Sequence, residues 1–93
     1  MTGRILIVDG TATNRILMKV RLGSACYDIV LASSLSEAME LARKTAPDLI
    51  LADQDLPDAT GATLCRTVRS DPQLQDLPIV VLSTSRDTAA RLA

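Results

Sequence analysis

The sequence has almost no aromatic residues. Among its 93 residues there is one tyrosine, Tyr27, and neither phenylalanine nor tryptophan. Hydrophobic residues still make up 47% of the chain and charged residues 23%, which is ordinary for a globular protein. The core must therefore be built from aliphatic side chains and methionine. Because a chain of this length is near the lower end of what buries a self-sufficient core, we expect a single domain over residues 1–93.

The sequence also lacks a basic surplus and a long apolar run. The formal net charge is −1, so nothing favours nucleic acid or an anionic membrane as a direct partner. The first residues lead straight into a short apolar strand, too short for a signal sequence or a transmembrane helix. Cys26 and Cys65 have no metal or disulfide spacing and are interpreted as small buried apolar groups. These features predict a cytoplasmic protein.

Strand-like and helix-like segments alternate along the chain. Continuous apolar, β-branched runs predict strands at 4–8, 27–32, 48–52 and 79–82. Apolar residues at helical spacing predict helices at 13–22, from 35 to the residue before Pro47, at 61–70, and from 88 after a capping Asp87. Ser34 and Glu37 form a capping box, and Gly23 is expected to end the first helix in the left-handed conformation. This order predicts βαβ units and an α/β fold with a parallel sheet.

Polar residues end three of the predicted strands. Asp9, Asp53 and Ser83 should converge, because the carboxyl ends of neighbouring parallel strands share one crevice. Two carboxylates so close repel each other and suit a cation. Mg²⁺ prefers one or two carboxylates together with waters and a phosphate. The pattern thus predicts a site for Mg²⁺ and a phosphoryl group, with Asp53 as the nucleophile and Ser83 as a hydrogen-bond donor.

The segment after Asp53 is predicted to turn sharply at Pro57. Gly61 is expected to supply flexibility before the next helix, and Asp58 to cap that helix. Arg15 is assigned to an ordinary solvated helix face.

Three segments, in this order and spacing, resemble the receiver domain of two-component response regulators. They are Ile5–Asp9, the run Pro47–Asp53 with Leu56, Pro57 and Gly61, and Leu77–Ser83. The resemblance implies a flavodoxin-like, doubly wound parallel sheet of strand order 2-1-3-4, with the family's fifth strand and fifth helix missing from the sequence. Within the family, the stretch Cys65–Pro72 resembles receivers that sit at the start of diguanylate cyclases.

The resemblance also implies a phosphorelay role. A sensor histidine kinase would donate a phosphoryl group to Asp53 with Mg²⁺ present, and the domain would then switch an output domain or a partner protein. Asp9, Asp53 and the backbone carbonyl of Asp55 correspond to the metal ligands, and Ser83 to the switch hydroxyl. A receiver catalyses only its own phosphorylation, so the chain itself is not expected to be an enzyme.

Two departures from the family pattern leave an alternative open. Gly10 stands where the family has a second acid, so Mg²⁺ should bind less tightly unless the side chain of Asp55 substitutes. The family's lysine has no counterpart, since the last lysine of the sequence is Lys44. The alternative is a degenerate receiver that acts as a phosphorylation-independent interaction or dimerisation module. With no fifth strand, strand 79–82 would be an apolar edge, which predicts a homodimer or a domain swap.

Two other classes are excluded by the loop after the first strand. Residues 9–14 contain neither the G-x-G-x-x-G pattern of dinucleotide-binding proteins nor the lysine of a P-loop. Asp9 to Thr11 resembles the end of the haloacid dehalogenase motif, but Ile7 stands at the position of that family's nucleophile.

Overall fold

The predicted alternation of strands and helices is found in the computed structural model, which describes residues 3–82. The elements are β1 (Arg4–Val8), α1 (Ala12–Gly23), β2 (Asp28–Ala32), α2 (Leu35–Thr45), β3 (Leu49–Asp53), α3 (Gly61–Ser70) and β4 (Ile79–Leu82). The four strands form one sheet of order β2-β1-β3-β4, and every pairing is parallel. The predicted strand order is confirmed. Ser83, Asp87 and the helix predicted from residue 88 lie outside the described residues.

One face of the sheet carries the main core. Leu6 pairs with Ile50 and Val8 with Ala52, so these four side chains share a face. Helices α2 and α3 cover that face, and the core cluster also takes in Ala38, Met39, Ala42, Leu64, Val68 and Leu74. All the core residues are aliphatic or methionine, as the composition predicts.

The opposite face is covered by α1 over β1 and β2. Helices therefore lie on both sides of the sheet, which is the doubly wound, flavodoxin-like arrangement. Although α1 has apolar residues at helical spacing, none of its residues is buried. Ile16 and Val20 are 60% and 65% exposed, and Leu17 is also exposed. Periodicity identifies this helix correctly, but most of its apolar surface has no neighbour among the described residues.

Two predictions about the turn after α1 are wrong. Gly23 is the last residue of the helix and does not adopt a positive φ. The left-handed residue of this turn is Cys26, with φ of 68°, and Cys26 is exposed rather than buried. Cys65 is partly buried, and both thiols are free. The chain therefore leaves α1 through an extra turn, which shifts the left-handed residue three positions past the glycine.

The capping box at α2 is confirmed. The Glu37 amide donates to the Ser34 hydroxyl at 3.2 Å, and the Glu37 carboxylate reaches back to the Ser33 amide at 2.7 Å. Within residues 3–82, no helix has the length and apolar character needed to cross a membrane.

Candidate functional site

Asp9 and Asp53 lie side by side at the carboxyl edge of the sheet. Asp53 is the last residue of β3, and Asp9 follows Val8, which pairs with Ala52. They are the buried charged residues of the described chain, with 7% and 8% of their surfaces exposed. The predicted convergence of these two carboxylates is therefore found. Whether Ser83 joins them is outside the described residues.

Asp9 is held in place by its own turn. Its amide donates to the Ala32 carbonyl at 3.0 Å, and its carboxylate accepts a 2.8 Å hydrogen bond from the Thr11 amide. The Arg15 guanidinium donates to the Asp9 carbonyl oxygen at 2.6 Å. Arg15 is therefore half-buried against the site, not on a solvated face as predicted. This contact brings a positive charge to the turn that carries Asp9.

Asp53 is in an unfavourable place for an isolated carboxylate. Its Oδ1 is buried and has no hydrogen-bond partner. Burial raises the pKa of Asp53, and the nearby charges of Asp9 and Asp55 raise it further; the backbone N–H groups of Asp55 and Gln54 act in the opposite direction. A buried oxygen without a partner destabilises the apo state and is available to a ligand.

The segment between β3 and α3 is a closed turn. The Gln54 amide donates to Leu82, which continues the ladder of β3 and β4, and the Gly61 amide donates back to the Gln54 carbonyl, both at 2.8 Å. Asp55 and Thr60 form an antiparallel bridge within this turn, and the Leu56 amide donates to the Ala59 carbonyl at 3.0 Å. The position of Asp55 next to the acidic pair is therefore tied to the whole of residues 54–61, which we call the acceptor loop.

Residue 61 is a glycine because the surrounding atoms leave no room for a side chain. A Cβ atom at this position would lie 2.6 Å from Val81 Cγ1 and 3.0 Å from the Asp53 carbonyl oxygen. Its φ is not positive, so the predicted role in flexibility is not what the structure requires of it. The glycine lets α3 begin directly beneath the end of β3.

Gly10 lies against Pro57. A Cβ atom at residue 10 would be 2.9 Å from Pro57 Cδ and 3.8 Å from the Ser33 carbonyl oxygen. The acceptor loop therefore packs on the turn after β1, and a larger residue at position 10 would displace it.

Asp58 caps a different helix from the one predicted. Its carboxylate accepts hydrogen bonds from the Leu35 and Ser36 amides at 2.8 and 3.2 Å, and from the Ser36 hydroxyl at 3.1 Å. These groups are at the start of α2, not α3. The N-cap of α3 is Thr60, whose hydroxyl accepts from the Thr63 amide at 3.1 Å. The hydrogen bond from Leu35 is the main cause that lowers the pKa of Asp58.

The acidic pair could hold a small divalent cation. Among residues 3–82 there is no group of three or more acidic, histidine or cysteine side chains that could bind a metal ion. Mg²⁺ does not need three, because it binds through one or two carboxylates and keeps several waters. The unpartnered Oδ1 of Asp53 and the adjacent Asp9 meet that requirement.

Among residues 3–82, a groove of about 180 Å³ runs between α1 and the sheet. Both carboxylates line it, together with apolar side chains from α1, β3 and β4: Leu17, Met18, Leu51 and Leu82. Within the described part of the chain, the acidic site is thus continuous with an apolar surface.

A family model described as the response regulator receiver domain matches residues 5–93. The chain belongs to the receiver domain family. Among curated proteins, the receiver is 32% identical over 83 residues to response regulator PleD of Caulobacter vibrioides, and 30% identical over 83 residues to the polar-differentiation response regulator DivK of Brucella ovis. The alignments cover 89% of this chain in both cases, 18% of PleD and 68% of DivK.

Solved structures show the same fold. A response regulator from Chloroflexus aurantiacus is 34% identical with a TM-score of 0.88, and the match covers 99% of the receiver and 75% of the solved chain. The chemotaxis response regulator CheY4 of Vibrio cholerae is 27% identical with a TM-score of 0.86, and the match covers 99% of the receiver and 77% of the solved chain. The receiver therefore spans about three quarters of these chains.

Two contacts at the site could not be found from the sequence. The Arg15 contact with Asp9 and the Asp58 contact with α2 both depend on how loops meet at the sheet edge. The sequence offers one weak signal for the first, since Arg15 follows Thr11 by one helical turn and its side chain can reach back to the preceding loop. No local signal distinguishes a cap on α2 from a cap on α3.

Proposed function

We propose that this receiver takes a phosphoryl group from a sensor histidine kinase onto Asp53. The observation that carries the proposal is the Asp53 carboxylate, which is buried beside Asp9 and has an oxygen with no partner. In the transfer, a carboxylate oxygen of Asp53 attacks phosphorus, the P–N bond of the kinase phosphohistidine breaks, and the imidazole leaves with the bond electrons and takes up a proton.

Asp9, Asp53 and the carbonyl of Asp55 would hold Mg²⁺. When bound, the ion supplies charge neutralisation for the incoming phosphoryl group. The residues of the chain supply the rest: Thr11 and Arg15 fix Asp9, and the closed acceptor loop fixes Asp55. Ser83 is assigned the switch hydroxyl, and an output domain or partner protein, of which a diguanylate cyclase is one kind, would read the change. A cytoplasmic location fits this role.

The test is treatment of the chain with a small phosphodonor and Mg²⁺, followed by mass spectrometry of the intact protein and of its peptides. We expect one added phosphoryl group on Asp53. The matched control is Asp76→Asn, which removes an exposed carboxylate from the opposite edge of the sheet and should leave the adduct unchanged. Absence of an adduct in wild type, or an equal adduct in Asp53→Asn, contradicts the proposal.

A second candidate function is a phosphorylation-independent interaction module. Gly10 favours it, because the described residues then offer only two adjacent side-chain carboxylates and no group of three. In that case Asp53→Asn would bind the partner and signal in cells as wild type does. A phosphoryl acceptor would instead lose its response to the kinase on the same substitution.

A further inference from the structure

The acceptor loop is fastened to α2 through the side chain of Asp58. Three donors at the start of that helix converge on the one carboxylate: two backbone amides and the Ser36 hydroxyl. The Leu35 and Ser36 amides have no intrahelical acceptor, because they belong to the first turn of the helix. A negative charge at a helix N-terminus is also favoured by the helix dipole.

Helix α2 also has a local cap, supplied by Ser34 and Glu37. Ser34 already accepts from the Glu37 amide through its side chain and from the Ala38 amide through its carbonyl, at 3.2 and 3.0 Å. The Glu37 carboxylate accepts a hydrogen bond from the Ser33 amide. The contact with Asp58 is additional to this local cap, because it gives the Leu35 and Ser36 amides an acceptor, and it joins two segments that are 22 or 23 residues apart in the sequence.

The acceptor loop also packs against the turn after β1. Pro57, adjacent to Asp58, lies so close to Gly10 that a Cβ atom there would be 2.9 Å from Pro57 Cδ. Because the loop is closed by the Leu56 to Ala59 and Gly61 to Gln54 hydrogen bonds, a shift at Asp58 would move Asp55 with it. The position of Asp58 is thus coupled to that of Asp55, although no hydrogen bond joins the two side chains.

We propose that Asp58 is a positioning residue for phosphotransfer, which holds the acceptor loop against the start of α2 so that Asp53 and Asp55 keep the geometry of the reaction site. This inference rests on the proposed function, since it names a residue that supports it.

The test compares Asp58→Ala with Ser34→Ala. Both variants damage the start of α2, but only the first releases the acceptor loop. We expect Asp58→Ala to speed hydrogen exchange of the Leu56 and Gly61 amides by roughly tenfold, and Ser34→Ala to leave them within about twofold of wild type. With a small phosphodonor and Mg²⁺, Asp58→Ala should slow phosphorylation of Asp53 by roughly tenfold, while Ser34→Ala should change it little.

Equal exchange at Leu56 and Gly61 in the two variants, or an unchanged phosphorylation rate in Asp58→Ala, would overturn the inference. If Asp58→Ala does not fold, Asp58→Asn carries the comparison: it keeps one oxygen for the Leu35 amide but loses the charge, and roughly threefold changes are expected. If wild type takes up no phosphoryl group, the proposed function fails, and amide exchange alone then supports or overturns the role of Asp58 in holding the loop.

Discussion

Replacement of Asp53 by asparagine should stabilise the domain at neutral pH. Asp53 is 8% exposed and its Oδ1 has no hydrogen-bond partner, so ionisation of this group opposes folding. Asparagine has nearly the same shape and removes the charge. Its amide oxygen can still accept from the backbone N–H groups that face the carboxylate, and its NH₂ group turns a repulsion with Asp9 into an attraction.

The magnitude follows from the unpartnered oxygen. Leaving a buried polar group unsatisfied costs about 1–3 kcal/mol, and the asparagine recovers only part of it, because its own amide needs partners. We expect the free energy of unfolding at neutral pH to rise by about 1 kcal/mol, which in a domain of this size raises Tm by roughly 4–8 °C.

The effect must depend on pH with a definite sign. Burial raises the pKa of Asp53 above its value in the unfolded chain. Its protonated form therefore contributes stability that is fully present below the unfolded pKa, about 3.9, and is lost as the pH rises through the folded pKa. The advantage of Asp53→Asn should accordingly be near zero at about pH 3 and complete at neutral pH.

Urea denaturation of both proteins over this pH range, without Mg²⁺, measures the difference. Asp71→Asn is the control, and it should change the stability in the opposite direction. The hydrogen bond from the Gln73 amide, and then Arg43, lower the pKa of Asp71. The ionised form of Asp71 therefore contributes stability at pH values above the pKa of the unfolded chain, and this contribution is lost as the pH falls through the folded pKa. The Asp71→Asn variant should be less stable than wild type at neutral pH only. A destabilised Asp53→Asn at neutral pH, or a difference that does not change with pH, would refute the reasoning.

Three further outcomes are expected. Gly61→Ala should destabilise the domain by about 1–3 kcal/mol, because its Cβ meets the fixed Asp53 carbonyl as well as Val81; urea denaturation checks this against Gly23→Ala, which adds its Cβ where no atom lies within 4 Å and should cost nothing. If the Asp55 side chain compensates for Gly10, Asp55→Ala should weaken Mg²⁺ binding in a titration, and identical affinities would reject that compensation. Among the described residues β4 is an edge strand with exposed apolar side chains, which should favour self-association, so Val80→Lys should lower the apparent mass by light scattering at high concentration; a monomeric wild type would contradict it.

Local patterns predicted the elements and the place of the site. Continuous apolar strands, helical spacing and the Ser34 capping box depend on neighbours within a few residues, so they are visible in the sequence. The meeting of Asp9 and Asp53 follows equally directly, because parallel strands that alternate with helices must bring their carboxyl ends to one edge.

Predictions that required knowledge of distant neighbours were less successful. Gly23 was expected to end α1 in the left-handed conformation, yet Cys26 has that conformation three residues later. Gly61 was expected to supply flexibility before α3, but the physical reason for it is the close approach of the Asp53 carbonyl and Val81, which the sequence does not bring next to it. The sequence alone does not show whether a glycine is needed for a positive φ or for the close approach of another atom.

Residue type and short-range periodicity are enough to predict the order of strands and helices, the aliphatic core and the two carboxylates at the sheet edge. What surrounds those carboxylates depends on the packed arrangement of the chain. Asp58 can cap either helix by its chemistry, and Arg15 can face water or the Asp9 carbonyl. Which contact forms is set by where the packed strands place the loops, and that depends on the positions of all the elements together.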